Sequence, residues 1–79
     1  MPKLPVRLTF PQHLIKEPVI FRMAKECKVI PNIRRAKVTE TVGEVVLELE
    51  GEKNNLEKAK KYLVELGVEV ERVEGDVVT

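Results

Sequence analysis

Few side chains in this sequence combine a reactive type with an informative position, and Asn32 comes first among them. It lies between Pro31 and Ile33, where the chain leaves a helical pattern and enters an extended one. A carboxamide offers N–H donors and an acceptor, so it can meet either kind of polar group on a ligand. If the chain binds a small molecule, Asn32 is the expected polar handle. The competing reading is a turn-former after Pro31 that bonds its own backbone. Cys27 is the single cysteine, which excludes an internal disulfide, an all-thiolate zinc site and a cysteine-ligated iron–sulfur cluster. Its place on an apolar stripe makes it a buried, inert thiol. His13 stands alone and reads as a solvated loop residue, not a ligand. Arg22 reads as a surface cation. No metal and no cofactor are expected.

The elements that must hold these residues follow from periodicity. Leu4, Val6, Leu8 and Phe10 alternate with Lys3, Pro5, Arg7 and Thr9, giving a strand with one buried face that ends at Pro11. Residues 12–17 connect it to a helix for which Pro18 suits the first position. Ile20, Met23, Ala24 and Cys27 form the apolar stripe of that helix, with Val19 at the margin. Phe21 lies about 100° round from Ile20, either as a flank of the core or as a contact kept for a partner. After Pro31 a second strand is expected from Asn32 to Thr39. It has Arg34, Ala36 and Val38 on one face and Ile33, Arg35 and Lys37 on the other.

Glu40 to Gly43 reads as a hairpin loop, with Gly43 available for a positive φ. The third strand, Glu44 to Glu50, turns Val45, Leu47 and Leu49 inward. The expected register sets Val38 opposite Val45, Ala36 opposite Leu47 and Arg35 opposite Glu48. Asn54 and Glu57 resemble a capping box ahead of a second helical stripe of Leu56, Ala59, Leu63 and Leu66. Gly67 reads as the residue that closes that helix, and Val68 and Val70 begin a fourth strand. Gly75 to Thr79 is expected to fray.

The order β-α-β-β-α-β with right-handed crossovers implies an α+β, ferredoxin-like sandwich. Its four-stranded antiparallel sheet takes the order 4-1-3-2, with both helices on one face. The 79 residues form a single domain, and one so small buries only about 60% of its unfolded surface. A ligand is therefore expected at an edge, in a shallow cleft or between two copies. A net charge of +1 from 14 basic and 13 acidic residues supplies no field for nucleic acid or anionic lipid. The open face of the sheet is expected to carry Lys3, Arg7, Arg35 and Lys37 against Glu48, Glu50, Glu69 and Glu71. Aromatic platforms for bases are missing from it. No apolar run approaches the roughly 20 residues of a membrane span, and the N-terminus lacks a signal-peptide core. A cytoplasmic soluble domain follows.

These pieces together resemble the NIL domain, from Val6 to about Val73. They are Arg7-Leu8-Thr9-Phe10, Pro18-Val19-Ile20, Asn32-Ile33, Gly43, Leu49-Glu50-Gly51, Ala59 with Tyr62-Leu63, and Gly67-Val68-Glu69-Val70. That family comprises C-terminal regulatory modules of ATPase subunits in methionine-importing ABC transporters, and modules fused to ferredoxin-type clusters in sulfur and homocysteine metabolism. The resemblance implies a non-catalytic domain that pairs with a second copy and binds methionine or a related sulfur amino acid where the two meet. It puts Asn32 on the ligand, with Ile33, Phe10 and Pro11 as apolar wall. The second strand is an edge in the 4-1-3-2 order, with unpaired backbone groups open to a partner, so Arg34, Arg35 and Ala36 form the expected homodimer edge.

The resemblance also implies a transporter or sulfur-metabolism enzyme as partner, and the alternative function is a protein-interaction subunit of such an enzyme. No ATPase precedes the domain and no cysteine cluster follows it, so either a fragment or a stand-alone sensor is expected. Phe21-Arg22 and Asn32 are also superficially similar to the Phe-Arg pair and asparagine of small acylphosphatases. The connection Gln12 to Glu17 lacks the glycine-containing phosphate loop of those enzymes, which leaves hydrolysis a remote alternative.

Overall fold

Four strands and two helices alternate in the computed structural model, which describes residues 1–73. In chain order they are β1 (Lys3–Phe10), a 3₁₀ turn (Gln12–Leu14), α1 (Val19–Cys27), β2 (Ile30–Val38), β3 (Gly43–Glu50), α2 (Lys53–Leu66) and β4 (Glu69–Arg72). The sheet runs β2-β3-β1-β4 with every neighbouring pair antiparallel, which is the expected ferredoxin-like order. The fraying expected of Gly75 to Thr79 lies outside the described residues.

One apolar layer holds the sheet to the helices. Val6 and Leu8 of β1 and Val45, Leu47 and Leu49 of β3 meet Val19, Met23 and Cys27 of α1 and Leu56, Ala59 and Leu63 of α2. The α1 stripe is therefore centred on Val19, Met23 and Cys27, not on Ile20, and Pro18 is the N-cap residue, not the first helical one. Its carbonyl accepts from the Arg22 N–H at 3.0 Å. Helix α2 starts at Lys53 after Glu52, without a side-chain cap, so the Asn54–Glu57 capping box does not form. Its C-terminus closes as expected. Gly67 takes φ 101°, its N–H reaches Val64 O at 3.0 Å, and the Val68 N–H reaches Leu63 O at 3.0 Å. Those paired bonds satisfy the last carbonyls of the helix.

The second strand departs most from expectation. It begins at Ile30 and includes Pro31, which an edge strand tolerates. The hairpin closes with Val38 opposite Gly43 and Ala36 opposite Val45, two residues out of the expected register. Thr39 explains the shift. Its hydroxyl accepts the N–H groups of Thr41 at 3.2 Å and Val42 at 2.9 Å, and its own N–H bonds Val42 O at 2.7 Å. The threonine side chain therefore makes the turn, and Gly43 takes no positive φ. Gly43 is needed for closeness instead: a Cβ there would lie 3.0 Å from Ile15 Cγ1 and 3.2 Å from Phe10 Cβ.

A bulge between Ile33 and Arg35 changes the phase a second time. Ile33 faces Leu47, on the helix side, and Asn32 faces Glu48, on the open side. Both placements reverse the expected faces, and Arg35 lies opposite Val46, not Glu48. The extra residue is Arg34, whose guanidinium reaches Glu48 at 3.3 Å. Inserting one residue sends two consecutive arginines toward the carboxylates of the open face while Ile33, Ala36 and Val38 stay on the helix side. On that open face Arg7 also meets Glu71 at 2.9 Å. Val46 is buried there between Arg7 and Arg35 in the register, where their aliphatic stems can cover it.

Candidate functional site

Strand β2 is an edge with no neighbour on its outer side. Eight of its nine residues are exposed, and Pro31 alone is half-buried. Asn32 is exposed on the open face, and among the described residues no hydrogen bond holds its side chain. Arg34, Arg35 and Ala36 are likewise exposed along this margin. Ile33 and Val38, on the helix side, keep 53% and 59% of their surface exposed.

A second feature lies at the other end of the sheet. An apolar cleft of about 180 Å³ opens beneath the first turn of α1, walled by Phe10, Leu14, Ile20, Phe21 and Val38. Gly43 belongs to its lining, and the close approach of Ile15 and Phe10 to that glycine shapes it. Phe21 is 66% exposed, so of the two readings open for it, the flank of the core is the smaller part. Glu17 is the one charged residue in the lining, and its carboxylate accepts from Arg22 Nη1 at 3.3 Å.

The four expected ligand contacts do not converge within one chain. Phe10 is opposite Gly43 and Asn32 is opposite Glu48, which separates them by about 16 Å along the sheet at roughly 3.3 Å per residue. They also face opposite sides. Phe10 lines the cleft and Pro11 follows it at the strand end, its carbonyl bonded by the Leu14 N–H at 2.9 Å. Ile33 lies on the helix side further along β2. Arg22 and Asn32 are on opposite sides of the sheet too, so the arginine–asparagine pairing of a hydrolase is not assembled.

The sequence reading missed the cleft as a unit, because its walls come from four separate segments. Two signals pointed to it: Phe21 off the α1 stripe, and an apolar Val38 next to a hairpin that ends in glycine.

Cys27 is 6% exposed. Burial first, then the Glu26 carboxylate, raises its pKa above the ordinary thiol value, against a smaller opposing effect of Lys58. That keeps it a protonated core residue with no nucleophilic character. Among the described residues no cluster of three or more His, Cys, Asp or Glu side chains could hold a metal, and no helix is long and apolar enough to cross a membrane.

The sequence that folds into this topology matches a known family. The family model of the NIL domain matches residues 5–72. This chain belongs to the NIL domain family. Methionine import ATP-binding protein MetN 1 of Bacillus cereus is 34% identical over 70 residues, which is 84% of this chain. The match spans only 20% of that protein's length. The crystal structure of the C-terminal domain of an ABC transporter/ATP-binding protein from Enterococcus faecalis superposes with a TM-score of 0.81 at 30% identity. It covers 92% of this chain and 86% of that one. The NIL fold here is thus like a C-terminal domain of an ABC transporter ATP-binding protein.

Proposed function

We propose that this NIL domain is a non-catalytic regulatory module that binds methionine or a closely related sulfur amino acid where two copies meet along β2. The observation that carries the reading is the unoccupied β2 edge, with Asn32 unbonded on it and Ile33 and Val38 uncovered beside it. Main-chain groups at such an edge are a template for another strand. A two-fold pairing runs the two edges in opposite directions, so Asn32 of one copy lies toward the Val38 end of the other. The pairing closes the separation along the strand, while Asn32 stays on the open face and Phe10 on the helix side. The similarity to a methionine import ATP-binding protein supports methionine as ligand and a transporter ATPase as the partner that receives the signal.

Calorimetry of L-methionine against the chain and its Asn32→Ala variant tests this. Loss of a polar contact to the ligand weakens binding by ~1–3 kcal/mol, and an unchanged affinity removes Asn32 from the site. Light scattering at saturating methionine tests the pairing, and a strictly monomeric chain overturns it.

A further inference from the structure

We propose that the cleft under α1 takes the apolar side chain of a free α-amino acid, and that the Glu17–Arg22 ion pair at its rim reads the two charges of the ligand. This rests on the amino-acid-binding reading above and adds Glu17, Arg22 and the remaining walls of the cleft to the residues named there. The size fits. A cleft of 180 Å³ has room for several water-sized groups. That suits a methionine- or leucine-sized side chain.

The charges fit as well. Phe10, Phe21 and Val38 give the cleft an apolar wall, and Glu17 is its one ionised lining residue. A carboxylate is the complement of an α-ammonium, and the guanidinium of Arg22 is a donor fork for an α-carboxylate. Among the described residues these two groups bond only each other, at 3.3 Å, with side chains 48% and 54% exposed. A pair so exposed to solvent screening contributes little, so parting it costs little. The zwitterion replaces one solvent-exposed ion pair by two, with no change in net charge. The apolar side chain supplies the remaining driving force by leaving water.

The test is calorimetry on the full chain with four ligands: L-methionine, L-norleucine, N-acetyl-L-methionine and L-methioninamide. Wild type binds the first two within about tenfold of each other and the two capped forms at least tenfold more weakly. Glu17→Gln and Arg22→Gln each weaken L-methionine at least tenfold, and in opposite ways. Glu17→Gln narrows the gap to the N-acetyl form, and Arg22→Gln narrows the gap to the amide, a selectivity change that a structural role does not produce. Val38→Arg, at an exposed position, closes the cleft and abolishes binding. If wild type binds methionine and only Asn32→Ala impairs it, with the Glu17 and Arg22 variants unchanged, this proposal is overturned while the edge-strand reading stands. If wild type binds no amino acid, both fall.

Discussion

Strands β2 and β3 lie side by side in one sheet and do opposite work. Strand β3 buries Val45, Val46, Leu47 and Leu49, and its helix-side residues lie at the centre of the core. Strand β2 contributes no residue to that core, although Ile33, Ala36 and Val38 face the same side. The core beneath the helices is built on β1 and β3, and β2 lies at its margin. In the proposed dimer these uncovered apolar residues meet the edge of the second copy. The comparison therefore separates what folds the domain from what the domain offers.

The largest expected effect tests that separation directly. Leu47→Ala removes a side chain with 0% exposure and costs ~2–5 kcal/mol in urea unfolding. Ile33→Ala, at the register position facing it, changes the stability of the monomer by less than ~1 kcal/mol while weakening self-association. Equal losses at the two positions would mean that β2 belongs to the core after all.

How much of this was readable beforehand depends on which strand is considered. The alternation in β1 and β3 and the stripes of α1 and α2 each repeat several times, so they fixed element type, order and the buried faces of the central strands. The edge position of β2 followed from that order, and with it the exposure of Asn32. Register did not follow, because two local devices override periodicity in β2. Thr39 bonds its own turn and moves the hairpin by two residues, and the bulge at Arg34 reverses the faces of Asn32 and Ile33. With one face of β2 uncovered, burial places no penalty on the alternative, and a pattern read by burial had nothing to hold it. The cleft was hidden for another reason: its walls are assembled by tertiary contacts between segments far apart in sequence.

A smaller effect is expected at the point where β3 touches the cleft. Gly43→Ala sets a methyl group 3.0 Å from Ile15 Cγ1 and 3.2 Å from Phe10 Cβ. Both neighbours are side-chain atoms that can give way a little, so the cost is ~1–3 kcal/mol. The same displacement narrows the cleft. A variant that loses stability without any change in amino-acid affinity would detach the cleft from binding.

The smallest expected effect concerns the tie between the two strands. Arg34 meets Glu48 at 3.3 Å, with side chains 42% and 20% exposed. The pair joins the bulged residue of β2 to the open face of β3, so its strength measures how firmly the edge is fastened. Solvent screening at such exposure limits the coupling to less than about 1 kcal/mol. A double-mutant cycle of Arg34→Ala and Glu48→Ala, read by thermal unfolding at low and high salt, measures it. A coupling that falls with salt fits a surface pair on a loosely held edge. One well above ~1 kcal/mol and insensitive to salt would show β2 fastened to β3 by side chains as well as by its ladder. The bulge would then serve the stability of the sheet, and the division of labour between the two strands would have to be redrawn.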